Sequence, residues 1–488
     1  MAPTSYATPG VYVEEISTLP PSIAEIGTAI PAFIGATSSH DTTKSVVVQE
    51  INSLREFEDR FGRAPAAQWK VSYNADQDTF TILDQKDKPV ERFSEPVCLL
   101  WYAIDLYFRN GGSRCYIISV GVASADASPT ADQFLAGLAA LEKYDEPTLI
   151  VMPEAIKLAK EDYGSVCQAA LQHAAKMKDR FAILDAHPAP SHALGSGDML
   201  AMREPLGKND LDRGALYFPF LLTTLSHQVA EQAIQVVGLP SAASAPPPTP
   251  PTEGGKAGSA TTASAKAAAS GVSLPSLATT QTIHYNQIKK QLGDQRVILP
   301  PSAAIAGVIA SVDRERGVWK APANVGLQAV IAPVVQVTDE QQALLNIDAT
   351  TGKSINAIRS FAGKGPLVWG ARTLAGNDNE WRYISVRRLF ITIEESVKKA
   401  TAFAVFEAND TSTWLKVKGM IDSYLYTLWE RGALRGAKAE EAYFVNVGLN
   451  KTMTMDDILN GRLIVEIGLA AVRPAEFIIL RFSHKVSQ

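Results

Sequence analysis

The sequence predicts a multidomain chain of α/β and α+β class, with a C-terminal α+β core domain, extended β-arms at the N- and C-terminal ends, and an inserted α/β domain. Three observations predict it. Residues 95–237 alternate apolar strands with amphipathic helices, the pattern of a largely parallel sheet covered by helices. Residues 281–488 carry two long helical patterns followed by strands, and both chain ends read as strands. A chain of 488 residues is also too long for one core.

In order along the chain, Tyr6 to Ile16 sets Val11 and Val13 on one face and Tyr12 and Glu14 on the other, the period of two that marks a strand. Leu19-Pro20-Pro21 breaks it, so residues 1–28 read as an arm and linker. Ala29 to Ala36 is a continuous apolar run and reads as a buried strand; the simplest closure of the C-terminal sheet pairs it with this strand, which assigns 29–40 to the core domain with 281–488. Leu54 to Phe61 reads as a helix closed by Gly62. Trp69 to Phe93 alternates around Asn74-Ala75-Asp76 and reads as an exposed hairpin inserted at 65–93. Helical spacing over Val97 to Phe108 stops at Asn110-Gly111-Gly112 before a strand, Cys115 to Val120. A helix over 131–143, a strand over 148–152, a helix over 164–178 and a strand over 181–184 complete an outer domain, 41–237. Residues 238–280 are dominated by Pro, Ala, Ser, Thr and Gly, too poor in apolar surface to offset ordering, and read as a flexible linker. Helices follow over Ile391 to Phe406 and Thr413 to Trp429, then strands over Tyr443 to Val447, Leu463 to Gly468 and Glu476 to Phe482.

Composition excludes several classes. Hydrophobic residues at 46% and charged residues at 20% are ordinary for a globular protein, and a net charge of -5 argues against a nucleic-acid partner. Cys98, Cys115 and Cys167 show no CxxC spacing, so neither a disulfide framework nor a zinc site is expected. The longest apolar run, Ala303 to Val312, is about half the length that crosses a bilayer, so no membrane insertion is expected, and the N-terminus lacks the marks of a secretory signal. The expectation is synthesis in the cytoplasm.

No catalytic, metal or cofactor constellation emerges: GxSxG, HExxH and Cys/His nucleophile arrangements are missing. Thr351-Gly352-Lys353-Ser354 resembles the end of a phosphate-binding loop, but Ile347 stands where that loop needs glycine, so it reads as a surface turn, with nucleotide binding through Lys353 as the alternative. Gly363-Lys364-Gly365 reads as a tight turn. Asp185, His187 and His192 cluster after a strand in a Pro-rich loop that offers no sign of another ligand in a rigid frame, and read as solvated.

Several words of the sequence carry a family resemblance. Pro300-Pro301-Ser302-Ala303-Ala304-Ile305-Ala306-Gly307, Asp313-Arg314-Glu315-Arg316-Gly317-Val318-Trp319-Lys320-Ala321-Pro322, Gly365-Pro366-Leu367-Val368-Trp369-Gly370-Ala371-Arg372 and Arg473-Pro474-Ala475-Glu476-Phe477 resemble, in order, the phage tail sheath family, which includes the sheaths of contractile injection systems. Thr8-Pro9-Gly10-Val11-Tyr12-Val13 is similar to that family's N-terminal arm. Residues 65–93 and 239–280 fall outside the resemblance.

The resemblance implies a structural subunit that forms a helical stack of rings around an inner tube and contracts without a cofactor. It implies baseplate and terminal cap proteins, and paralogous sheath subunits, as partners, and a place in an assembled tail-like particle. Val11, Tyr12, Val13 and Glu14 at one end, and Phe477, Ile478, Ile479, Leu480 and Phe482 at the other, become inter-subunit β-arms. Asp313, Arg314, Glu315, Arg316, Arg387 and Arg388 become lattice salt-bridge candidates, or else a solvated face. Asp456, Asp457 and Arg462, in a short capped helix, become tube-facing candidates, or else an ordinary surface helix. A rigid, non-contractile tube or shell is the other structural reading.

Overall fold

The computed structural model describes residues 23–124, 128–188, 194–239, 271–477 and 479. Val11, Tyr12, Val13, Glu14, His192, Ile478, Leu480, Phe482 and most of the expected linker lie outside them. The described residues fall into two compact units, 27–391 with 473–479, and 23–26 with 392–472.

The larger unit is organised by a nine-stranded sheet, in the order Val325–Gly326, Gly365–Val368, Ile355–Phe361, Gly214–Phe218, Phe181–Asp185, Leu149–Val151, Pro31–Thr37, Cys115–Val122, Val47–Ile51. Its six inner strands run parallel, and antiparallel strands close both rims. This corrects the expected pairing of the strand near residue 30 with the C-terminal strands. Pro31–Thr37 lies between Leu149–Val151 and Cys115–Val122, parallel to both, with all its residues buried. An apolar run without alternation is what a strand covered on both faces needs, and central parallel strands are covered on both faces. The expected division of 29–40 and 281–488 from 41–237 cuts through this one sheet.

Local chemistry sets the helices. Ser53 caps Leu54–Phe61 by accepting from the Glu56 N–H, and Gly62 stops it at φ +77°. Leu100–Arg109 packs on Ser302–Arg316, whose small residues permit close approach: a Cβ at Gly307 would lie 2.6 Å from the Tyr107 carbonyl oxygen. Two buried carboxylates hold these helix starts. Glu154 accepts from the N–H groups of Ala36 (2.7 Å), Leu99 (2.9 Å) and Leu100 (3.3 Å), and burial pushes its carboxyl above the usual range. Asp185 accepts from the Ser302 N–H (2.7 Å) and Oγ (2.6 Å), and burial pushes it up to about 7. Asp185 is therefore a buried cap for Ser302–Arg316, where the sequence suggested a solvated loop, and His187 is half-buried.

The 65–93 insertion does form a hairpin, Lys70–Asn74 with Thr79–Leu83, but it is not a free one. It joins Gln235–Val237 and Val272–Ser273 in a four-stranded sheet. Val71, Phe80 and Ile82 share a small core with Val236, Leu274, Leu277, Ile288 and Leu292. The expected linker thus ends early, because Leu274–Thr280 is a helix that buries Leu274 and Leu277.

In the smaller unit the helix Thr411–Glu430 buries Val417, Met420, Ile421, Tyr424, Leu425 and Leu428. Its sheet has two strands, Tyr443–Val447 and Val465–Leu469. The strand expected over Glu476 to Phe482 is not formed at Glu476 or Phe477, and the Phe477 and Ile479 side chains are 70% and 77% exposed.

Candidate assembly interface

The two-stranded sheet is antiparallel, with Val445 opposite Ile467. Val445 and Val447 are buried where their strand packs on Thr411–Glu430. On the other face the Phe444 ring lies over Gly468, where any side chain would collide with it. An aromatic covering a cross-strand glycine fixes register.

The direction of the backbone groups follows from one bond. The Ala470 N–H donates to the Ala442 carbonyl (2.8 Å), so alternation along the ladder turns Phe444, Asn446, Glu466 and Gly468 inward. Val445 and Val447 then present N–H and C=O groups outward on one edge, where the Tyr443 N–H is taken by the Ala439 carbonyl, and Val465, Ile467 and Leu469 do so on the other. Among the described residues no third strand pairs with either edge. Such a sheet is marginal alone and is a template for added strands.

The segments leading toward the two chain ends are fixed to the larger unit by buried arginines. Arg388 donates to Asp313 Oδ1 (2.9 Å) and Oδ2 (2.6 Å), and also to the Thr28 carbonyl (2.8 Å). Both side chains of that ion pair are about 95% buried. Arg372 grips the Glu476 carboxylate with Nε (2.9 Å) and Nη2, and Tyr383 Oη donates to the same carboxylate (3.4 Å).

Of the six lattice candidates, then, Asp313 and Arg388 bond each other within the chain and are buried. Arg387 is buried, its guanidinium 4.4 Å from the centre of the Trp381 ring and 3.7 Å from Asp212. A Ser302–Arg316 helix whose apolar positions face the core carries Asp313 inward, while Arg314, Glu315 and Arg316 stay exposed. Arg314 donates to the Gly111 carbonyl (3.2 Å), and Ser311 Oγ donates to Glu315 (2.8 Å).

Asp456 and Asp457 lie in the helix Met455–Leu459, capped by Thr454, and Arg462 pairs with Asp457 (3.0 Å) and Asp456 (3.6 Å). Met455 and Leu459 on the same turn are exposed, so this corner presents apolar and charged groups together.

The Thr351–Ser354 turn is not a surface turn. Lys353 is buried, its Nζ donating to the Arg203 carbonyl (2.7 Å) while Arg203 Nε donates to the Lys353 carbonyl (2.9 Å). That reciprocal clasp occupies the ammonium a phosphate would need. Gly363 and Gly365, both at positive φ, make the tight turn between Ile355–Phe361 and Gly365–Val368. A groove of about 610 Å³ beside the 70–83 hairpin is lined in part by Cys98, Tyr102 and His227. Burial pushes the Cys98 thiol up to about 11 and the His227 imidazole down to about 4, giving a protonated thiol and a weakly basic ring.

Models of the phage tail sheath central domain and the phage tail sheath C-terminal domain match residues 254–374 and 376–485. The tail sheath protein of Vibrio phage KVP40 is 26% identical over 162 residues, which is 33% of this chain and 24% of that protein's length. The PVC sheath complex of an extracellular contractile injection system, in its contracted state, is 30% identical with a TM-score of 0.63, covering 99% of each chain. The chain belongs to the phage tail sheath family. The helical sheath of the anti-feeding prophage, also contracted, matches this sheath chain at 31% identity and TM-score 0.62 over 99% of it and 100% of that structure's chain.

Sequence reasoning singled out Arg388 of this sheath subunit as a salt-bridge residue but missed Arg372 as an anchor. Arg372 stood in plain view between Ala371 and Thr373, a lone cation in an apolar and small-residue run, but its carboxylate partner is 104 residues away.

Proposed function

We propose that the chain is the structural, non-enzymatic subunit of a contractile sheath, which polymerises as a helical stack of rings around an inner tube and shortens to drive that tube through a target envelope. The observation that carries this reading is the match along 99% of both chains to a sheath in its contracted state. The two open edges of the 443–469 sheet support it. In this reading neighbouring copies add their arms there, Val11 to Glu14 from one end and Phe477 to Phe482 from the other.

Each arm contributes a few backbone bonds, each worth about 1 kcal/mol net. Because the donor and acceptor surfaces differ, the contacts are heterologous, and such contacts give rings where the rotation closes and open helices where it does not. Contraction is then a passage between two packings of the same linked subunits, with no nucleotide consumed. Asp456, Asp457 and Arg462 are the tube-facing group, and Arg314, Glu315 and Arg316 are the exposed charges available to neighbouring subunits. Baseplate proteins and a terminal cap close the ends of the stack, and paralogous subunits share it. The subunit is made in the cytoplasm and works as part of a tail-like particle; among the described residues no helix is long and apolar enough to cross a membrane.

Negative-stain micrographs of the purified chain test this reading. Tubes of two diameters support a contractile sheath, and particles that never polymerise contradict it.

A further inference from the structure

The Arg372–Glu476 contact has features that packing alone does not require. Glu476 sits on the segment leading to the C-terminal end, immediately before Phe477 and Ile479, whose side chains are mostly exposed. Its carboxylate is held by a guanidinium that is 97% buried, and by a tyrosine hydroxyl. Arg372 is itself fixed deeply. Its N–H donates to Asn356 Oδ1 (2.8 Å), its carbonyl accepts from Asn356 Nδ2 (2.7 Å), and Nη1 donates to the carbonyls of Asn346 (3.4 Å) and Gly376 (3.3 Å). Asn356 Nδ2 also donates to the Leu216 carbonyl of the nine-stranded sheet (3.2 Å). Arg372 and Tyr383 face each other in an isolated β-bridge, so both ligands of the carboxylate are presented from one rigid clasp.

We infer that Arg372, with Tyr383, is a positioning residue for assembly: it fixes the root of the C-terminal arm at Glu476 and so sets the length of arm free to reach a neighbour. This rests on the arm-exchange reading of the sheet edges. The consequence is geometric. Releasing Glu476 frees residues 473–476 and lengthens the loose arm by at most about 14 Å, since an extended residue spans about 3.3 to 3.6 Å. A longer, unanchored arm loses more conformational freedom when it docks, and its effective concentration at the acceptor edge falls. Slack also lets neighbouring subunits settle at more than one spacing. A bidentate arginine–carboxylate pair is suited to the role because it fixes direction as well as distance.

The test compares the full chain with Glu476→Gln, Tyr383→Phe and a truncation lacking 480–488. Sedimentation reads the critical concentration for polymerisation, micrographs read the spread of axial repeat, and circular dichroism reads the fold. Glu476→Gln keeps the side chain's shape at a partly exposed position, so a folded subunit is expected. Its critical concentration should rise on the order of tenfold, by loss of preorganisation, with a wider spread of repeat; Tyr383→Phe should show the same change in smaller degree. A purely structural role would lower the melting temperature and leave the repeat unchanged. Wild-type critical concentration and repeat in folded Glu476→Gln overturn the anchor. If Glu476→Gln does not fold, Tyr383→Phe decides by the same two readouts. Normal tubes from the truncation overturn the arm-exchange reading itself, whereas an inactive truncation beside a fully active Glu476→Gln overturns the anchor alone.

Discussion

Replacing Ile467 by proline should block assembly while leaving the subunit folded. Val465, Ile467 and Leu469 turn their backbone groups away from the partner strand, and each offers one donor and one acceptor to an incoming arm. Six such bonds at about 1 kcal/mol each are the most the backbone of this edge can contribute, and ordering an arm at about 1 to 2 kcal/mol per residue is of the same size. The net junction is therefore thin. Proline at 467 removes the central donor and sets its ring against the approaching strand. The lost donor bond and one neighbouring bond that the ring holds apart, about 2 kcal/mol together, weaken the junction roughly 30-fold. Within the chain the cost is small, because an outward N–H on an edge strand is a position where proline is tolerated. Glu466→Pro is the control, since its N–H points inward and its loss breaks the pairing with Asn446. Sedimentation against concentration and a thermal melt read both effects. Ile467→Pro that forms tubes at the wild-type concentration refutes strand addition at this edge, and Ile467→Pro that melts as early as Glu466→Pro refutes the assigned direction of the backbone groups.

Two further outcomes test the frame of the larger unit. Arg388→Met leaves the Asp313 carboxylate buried without its ion-pair partner and should cost about 3 to 5 kcal/mol in urea unfolding, with Asp313→Leu in the same chain restoring most of it; a loss under about 1 kcal/mol contradicts the buried-pair account. Asp185 has a folded pKa of about 7 against an ordinary 3.8, so between those values the unfolded chain releases a proton that the folded chain keeps. Stability therefore falls as pH rises from about 4 to about 7, and Asp185→Asn should flatten that slope; parallel pH profiles for the two proteins would count against it.

What could be read from the sequence was what local chemistry dictates. Gly62 marks the end of Leu54–Phe61, and Tyr443–Val447 alternates buried and exposed residues as written. Partners distant in sequence were hidden. Pro31–Thr37 announces by its apolar run that it is buried on both faces, yet nothing in it says that its neighbours begin 84 and 118 residues away, at Ala32–Tyr116 and Pro31–Leu149. Asp313 and Arg388 looked like lattice charges because a charged cluster gives no sign of which member turns inward; the helical phase of Ser302–Arg316 decides it. Leu274 and Leu277 were absorbed into a linker by the composition of their surroundings, although two leucines three apart suffice to cover the edge of a small core.

The central claim is that arms exchanged between copies build the lattice. Its most direct test is deletion of residues 1–16, with the product viewed by negative stain and checked by circular dichroism. The account predicts folded monomers that form no tubes at concentrations where the full chain does. Intact tubes from the truncated chain would contradict it.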